Sequence, residues 1–287
     1  MTMTGFVEII DPGPFTTVQD LGRPGYAHLG VSTSGAADLA SHSLANRIVG
    51  NPPTAAGIEI LLGGFSARLT EGRWCSVAGA TVGVTVDSHP VPEPSLFFLP
   101  AASILRLDPA TTGLRAYLAI EGGIVGNRVL GSASWDSLGN FGTRPATSGT
   151  QWELLQSDGE PRYTGVVPTF EAPATLTLGF FWGPRDHLLD KPSRDVLLTT
   201  RWTVTNDCDR VGARLSGSPL AVSEGSLPSE GCVVGSIQVP PTGLPIVFLA
   251  DHPVTGGYPV VGVITETAAA HLAQARPGTY IQFRSQH

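Results

Sequence analysis

Short β-branched and aliphatic runs, separated by glycine and proline, recur along the whole chain. That pattern predicts many short strands joined by tight turns. The expected strands are 6–10, 57–62, 74–78, 82–86, 95–99, 103–107, 115–120, 151–155, 175–179, 202–205, 236–239, 246–249, 260–264 and 280–283. Their spacing favours barrels or sandwiches over a parallel βαβ sheet. Helical periodicity is sparse. Across 36–49, Ala37, Ala40, Leu44 and Ile48 share one stripe, Leu39 falls outside it, and Gly50-Asn51-Pro52 stops the helix. Ser34 is its expected N-cap, with Asp38 in the first turn near the positive end of the helix dipole. Two further short helices are expected at 266–274 and 190–199. Residues 156–174 lack periodicity and hold three prolines. The expected division is an N-terminal domain over 1–160, a linker over 161–174 and a C-terminal domain over 175–287.

At 287 residues, two domains of ordinary size are the better prior, each with its own core. Charged residues are 14% and hydrophobic ones 41%, which excludes a disordered chain or a coiled coil. A formal net charge of -7 repels phosphate backbones, so nucleic acid is not an expected partner. The single lysine, Lys191, leaves no Gly-Lys-Ser/Thr phosphate loop and no biotin-carrier lysine. Cys75, Cys208 and Cys232 fit neither a zinc pattern nor a complete disulfide framework, which points to a reducing, cytoplasmic setting. With no apolar run of membrane-spanning length and no basic, then apolar, leader, neither membrane insertion nor export is expected.

Polar groups concentrate in two segments, 17–38 and 204–258, and the ligand is expected between them. Asp209, Arg210 and Arg214 place a carboxylate beside two guanidinium forks. Such a set grips a substrate carboxylate, carbamate or phosphate, or else forms an ion pair that stabilises a turn. Ser229 and Glu230, with Gln238 following, offer a hydroxyl, a general base and an amide; the plainer alternative for Glu230 is a solvated loop. Thr255, Gly256 and Gly257 before Tyr258 make a candidate anion cradle, or a hairpin turn closing 246–249 onto 260–264, with Asp251 at the strand end. Ser34-Gly35-x-x-Asp38 offers backbone N–H groups to an anion, or simply caps a helix. Glu59, inside an apolar run, needs a buried partner, for which Asn46 and Arg23 are the candidates. The histidines show no metal-ligand spacing, so no metal site is expected. No Gly-x-Ser-x-Gly elbow is present. A short echo links Asp20-Leu21-Gly22-Arg23 to Asp207-Cys208-Asp209-Arg210.

Together, 17–26, 30–38, 45–51, 209–215 and 235–258 resemble the biotin-dependent carboxyltransferase A/B-domain family, which includes the C component of 5-oxoprolinase, allophanate hydrolase subunit 2, the sporulation kinase-inhibitor antagonist and part of urea amidolyase. The likeness covers nearly the whole chain. It implies a mainly β fold of two cyclophilin-like β-barrel domains with a few short helices. It also implies a subunit of an ATP-dependent 5-oxoprolinase, an amide-bond hydrolase converting 5-oxoproline to glutamate. Its partners would be a smaller cyclophilin-like B component and a third catalytic subunit, with ATP used in the complex. The catalytic residues under this reading are Asp209, Arg210, Glu230, Gln238 and Tyr258. Its substrate-binding residues are Arg214, Ser229, Asp251, Thr255, Gly256, Gly257, Ser34, Asp38, Asn46, Glu59 and Arg23. The alternatives are a carboxyltransferase subunit of a urea carboxylase or allophanate hydrolase system, with biotin on another chain, or a regulatory partner of a kinase inhibitor. The family's Gly-Val-Pro-x-Ser-Gly-Ala-Met-Asp appears here with Ser32 for the proline and Ala37 for the methionine, leaving Ser34, Gly35 and Asp38 in place.

Overall fold

A computed structural model describes residues 3–92, 95–156, 161, 173, 175–222 and 227–286. Of the expected linker 161–174, only Pro161 and Pro173 fall among them. The chain forms two compact units, each gathered from three stretches: Met1–Arg23, Asp38–Asp136 and Asn140–Glu171 in the first, and Pro24–Ala37, Ser137–Gly139 and Ala172–His287 in the second. The fold is mainly β, as the turn-punctuated sequence requires.

The first unit contains β1 (Met3–Asp11), β2 (Phe15–Gln19), α1 (Leu39–Ile48), β3 (Gly57–Leu61), β4 (Phe65–Leu69), β5 (Arg73–Thr81), β6 (Val84–Val86), β7 (His89–Pro90), β8 (Phe97–Leu99), β9 (Ile104–Leu107), β10 (Thr112–Ile120) and β11 (Gln151–Leu155). They build a six-stranded sheet, β11-β1-β4-β9-β6-β7, and a five-stranded sheet, β2-β3-β10-β5-β8. Side chains alternate across a strand, so each sheet has two faces. Val7, Ile9, Phe65, Ala67, Leu69, Leu105 and Leu107 of the first sheet share one apolar core with Val18, Ile58, Ile60, Cys75, Val77, Ala116, Leu118 and Ile120 of the second. The intervening positions of the five-stranded sheet form its other face. Thr17 stands opposite Glu59, Gln19 opposite Gly57, Tyr117 opposite both Glu59 and Ala78, and Ala119 opposite Ser76. Helix α1 packs against β3, β5 and β10. That second face carries the polar residues, and all of those named on it are buried.

The second unit contains β12 (Thr175–Trp182), α2 (Lys191–Thr199), β13 (Trp202–Cys208), β14 (Gly212–Ser216), β15 (Glu230–Gly231), β16 (Ser236–Gln238), β17 (Ile246–Phe248), β18 (Thr255–Gly256), β19 (Val260–Ile264), α3 (Glu266–Ala273) and β20 (Tyr280–Ser285). Seven of its strands close a barrel, β12-β19-β16-β17-β14-β13-β20, and β15 pairs with β18 as a separate ribbon. Parallel pairing of β12 with β20 brings the two ends of this barrel's chain segment together. Leu178, Phe180, Trp202, Val247, Val261 and Ile281 lie in its core. Trp202 is fully buried, and its indole N–H donates to Leu197 O at 3.1 Å, so the one polar atom of that side chain is satisfied. A β-carbon at Gly217 would stand 2.6 Å from the Trp202 ring, which explains the glycine.

Helix α1 starts at Leu39, three residues later than the periodicity predicts, and its N-cap is Asp38 rather than Ser34. Asp38 accepts from Ser41 N at 3.0 Å and from Ser41 Oγ at 2.6 Å. Ser34 has φ +53° and Gly35 φ +92°, left-handed backbone that belongs to a turn before the helix. The expected hairpin between 246–249 and 260–264 is also corrected. Strand β16 lies between β17 and β19 in the barrel and pairs with both. Among the described residues, no helix is long and apolar enough to cross a membrane.

Candidate functional site

In the second unit, Asp251 is fully buried and accepts five hydrogen bonds. Arg210 closes a two-bond fork on it, Nε to Oδ2 at 2.8 Å and Nη2 to Oδ1 at 2.9 Å. Ser34 Oγ donates to Oδ1 at 2.6 Å, and Ser137 donates to Oδ2 through its backbone N at 2.9 Å and its hydroxyl at 2.7 Å. The backbone fixes this pairing. Gly212 of β14 stands opposite Phe248 of β17, and Asp251 N donates to Arg210 O at 2.9 Å beyond it. Arg210 also donates to Gly35 O, so one ion pair holds the left-handed Ser34–Gly35 turn by both its side chain and its backbone. Burial alone would raise the Asp251 pKa. The Arg210 charge and the hydrogen bonds from Arg210, Ser34 and Ser137 outweigh that and hold it below the usual carboxylate range.

The other residues expected with Arg210 are dispersed. Asp209 is exposed and closes its own turn, with Oδ1 accepting from Val211 N at 2.7 Å and Gly212 N at 3.1 Å. Arg214, Ser229, Thr255, Gly257 and Tyr258 are exposed. Glu230, Gln238 and Gly256 do come together. Glu230 pairs with Gly256 in the β15–β18 ribbon, and a β-carbon at Gly256 would stand 2.5 Å from Gln238 Nε2. Gln238 Nε2 donates to Tyr258 O at 3.2 Å. Glu230 Oε2 lies 3.0 Å from Arg185 Nε, a pairing absent from the expected set, and Oε1 accepts from Val260 N at 3.4 Å. Proton abstraction by Glu230 would compete with that ion pair.

In the first unit, the polar face of the five-stranded sheet and α1 enclose a second group. Glu59 accepts from Tyr117 Oη at 2.9 Å and lies 3.6 Å from Arg115 Nε. Tyr117 Oη in turn accepts from Asp38 N at 2.8 Å, tying the helix cap to the sheet. These are the partners that a buried carboxylate needs, and they replace the expected Asn46 and Arg23. Asn46 Nδ2 donates to Ala55 O at 3.0 Å, and its Oδ1 accepts from Asn51 Nδ2 at 2.9 Å. Arg23 donates to Ser134 O and lies 3.8 Å from Asp136. The short sequence echo thus has a structural counterpart, since Arg23 and Arg210 are both buried, each bonded to a carbonyl and paired with an aspartate.

His42 and Gln19 were absent from the expected set. His42 Nε2 lies 3.1 Å from Gln19 O and 3.3 Å from Asn46 Nδ2. A β-carbon at Gly57 would stand 3.2 Å from Leu118 O, and the His42 ring packs at ordinary contact distance from the same position. Burial lowers the His42 pKa, against the opposing effects of the Gln19 carbonyl and the carboxylates of Asp20, Glu59 and Asp38. Burial, with Glu59 and Asp38 adding to it, pushes the Tyr117 hydroxyl well above its ordinary range. A signal for this layer was present in the sequence. Thr17 and Gln19, then Glu59, then Arg115 and Tyr117, occupy alternate positions of otherwise apolar strands.

Among the described residues, no group of three or more His, Cys, Asp or Glu side chains is arranged to hold a metal ion. Residues 29–285 match the family described as the carboxyltransferase domain, subdomain A and B. The chain belongs to this carboxyltransferase family. It is 33% identical over 286 residues to the C component of 5-oxoprolinase from Escherichia coli, covering 96% of this chain and 90% of that protein. The crystal structure of TTHA0988 matches with TM-score 0.88 at 32% identity, covering 98% of this chain and 55% of that one. The crystal structure of the K. lactis urea amidolyase matches with TM-score 0.92 at 28% identity, covering all of this chain and 19% of that one. This carboxyltransferase domain therefore spans about half the length of TTHA0988 and under a fifth of the urea amidolyase, but most of the E. coli protein.

Proposed function

We propose that the chain is a subunit of an ATP-dependent 5-oxoprolinase, opening the cyclic amide of 5-oxoproline to glutamate together with a smaller cyclophilin-like subunit and a third catalytic one. The observation that carries this reading is the match along 90% of a free-standing 5-oxoprolinase component. The hydrolase works only in that complex, in the cytoplasm.

The lactam is resonance-stabilised, and ATP makes its opening favourable by activating the carbonyl oxygen. The buried cations of this chain do not suit a triphosphate. Arg23, Arg73, Arg115 and Arg210 are the buried arginines among the described residues, and they lie against Asp136, Glu71, Glu59 and Asp251 respectively. No step on this chain is routed through the nucleotide. This chain's part is to bind and orient the amide. Glu230 and the Gly256 backbone on the β15–β18 ribbon meet the Gln238 amide of barrel strand β16, and Arg210, paired with Asp251, helps hold the Ser34–Gly35 turn.

A second reading, a carboxyltransferase subunit for urea or a related amide, is favoured by the likeness to the K. lactis urea amidolyase over the whole of this chain. Biotin would then arrive on another chain, since Lys191 begins α2 between Asp190 and Pro192 and is no carrier lysine. The test is glutamate release from 5-oxoproline and ATP by the co-expressed subunits, with a control lacking only this chain. Loss of activity in the control is the expected result. An intact, folded complex that makes no glutamate but carboxylates urea from a biotin carrier overturns the first reading in favour of the second.

A further inference from the structure

Arg185 follows β12 and is held by its backbone beside the Glu230 ribbon of the second unit. Gly183 N donates to Val261 O at 2.8 Å, and Arg185 N donates to Val260 O at 3.3 Å. A β-carbon at Gly183 would stand 2.8 Å from Val260 O, so a glycine is what lets the chain run this close to β19. Val260 N in turn donates to Glu230 Oε1 at 3.4 Å, which sets both charged side chains against one point of the barrel. Their contact is made side-on, from Arg185 Nε to Glu230 Oε2 at 3.0 Å.

That geometry leaves the far edge of the guanidinium unused. Among the described residues, neither Nη1 nor Nη2 of Arg185 has an acceptor. The side chain is 32% exposed, and both terminal nitrogens are open to solvent. The neighbouring acid does not claim them, because Asp186 pairs with Arg194 Nη2 at 3.4 Å. Arg210, by contrast, is buried and closed on Asp251.

A paired terminal edge of this kind matches a carboxylate in plane and spacing. In 5-oxoproline the carboxylate stands on the carbon next to the ring nitrogen. An anchor for it must therefore lie beside whatever binds the amide, and Arg185 touches Glu230. A cation shared between Glu230 and the ligand also offsets the repulsion of two neighbouring carboxylates. Urea carries no carboxylate and would leave this edge empty.

We propose that the Nη edge of Arg185 anchors the carboxylate of the amide ligand, and that this residue makes the site prefer a carboxylate-bearing lactam to a neutral amide. The inference rests on the reading given above, in which Glu230 and Gln238 receive the amide.

The test measures binding by calorimetry to the co-expressed complex without ATP, so that no turnover occurs. The probes are 5-oxoproline and 5-oxoprolinamide, which has the same ring with a neutral carboxamide in place of the carboxylate. The wild-type complex should bind the acid about 10- to 100-fold more tightly than the amide. Arg185→Gln should bring that ratio close to one, and Arg185→Lys should keep part of it, since an ammonium supplies the charge without the fork. Misfolding would weaken both lactams together and leave the ratio alone. Equal binding of the two by the wild type, binding of neither, or a ratio unchanged in Arg185→Gln or Arg185→Lys overturns the anchor. Glu230→Gln keeps the Arg185 charge and should hold or raise the ratio; a collapse there like that of Arg185→Gln would mean that Arg185 acts only through Glu230, and overturns it too. The reaction and the anchor fail separately. A complex that makes no glutamate yet shows the Arg185-dependent preference keeps the anchor and overturns the reaction, and one that makes glutamate without that preference does the reverse.

Discussion

Replacing Asp251 with alanine separates a structural clasp from an incidental ion pair. Asp251 is fully buried, Arg210 is 3% exposed, and the two meet through a two-bond fork at 2.8 and 2.9 Å. Truncation leaves a buried guanidinium with no counter-charge, which costs about 3–5 kcal/mol in comparable sites. The Ser34 and Ser137 hydroxyls lose a charged acceptor as well, and bonds of that type contribute about 1.5–3 kcal/mol each. These terms overlap because all three side chains share one carboxylate, so the expected loss is about 4–6 kcal/mol rather than their sum. Typical domains are stable by about 5–15 kcal/mol, so the variant should be at or near unfolding at 25 °C. The assay is urea unfolding of the full chain followed by tryptophan fluorescence, with Trp202 in the core of the unit concerned. The double replacement Arg210→Met with Asp251→Leu removes both charges and should be more stable than Asp251→Ala alone. A loss below about 1 kcal/mol for Asp251→Ala would match an exposed ion pair and refute the clasp.

Stability should also depend on pH through both units. Asp251 has a native pKa below its ordinary 3.8, so its contribution is full above about pH 4 and is lost as the pH falls through the native value. His42 has a native pKa below its ordinary 6.5, so the unfolded chain takes up a proton that the native one refuses; stability therefore falls as the pH drops below 6.5, and His42→Gln should flatten that limb in a series of urea titrations. Tyr117→Phe removes both the donor to Glu59 and the acceptor for Asp38 N, and a loss of about 1–3 kcal/mol by thermal unfolding is expected; no change would mean those groups find other partners. Glu230→Gln weakens a pair whose side chains are 19% and 32% exposed, so stability should change by less than about 1 kcal/mol, and any large fall in activity of the assembled enzyme would then be chemical in origin.

The strands that were legible in the sequence are those whose apolar content overrides position, such as 260–264 and 151–155, which coincide with β19 and β11. Strands β2, β4 and β14 were not expected, and each has polar or glycine positions that break the apolar run. In β2 the reason is specific. Thr17 and Gln19 face the polar layer, so a strand buried on both sides reads as mixed. The late start of α1 has a similar origin, since Ser34-Gly35 reads as a cap by composition, but the left-handed backbone there forms a turn instead. Of the candidate site, Arg210 and Asp251 were both singled out, but not as partners, because the contact spans 41 residues and depends on the β14–β17 register. Ser137 and Arg185 carried no local signal, and each is recruited by a distant carboxylate.

The most direct measurement is glutamate formation from 5-oxoproline and ATP by the co-expressed complex, with this chain present and then omitted. The account predicts activity that requires this chain and returns when the purified chain is added back. Full glutamate formation without it, or none from an intact, folded complex that contains it, would contradict the account.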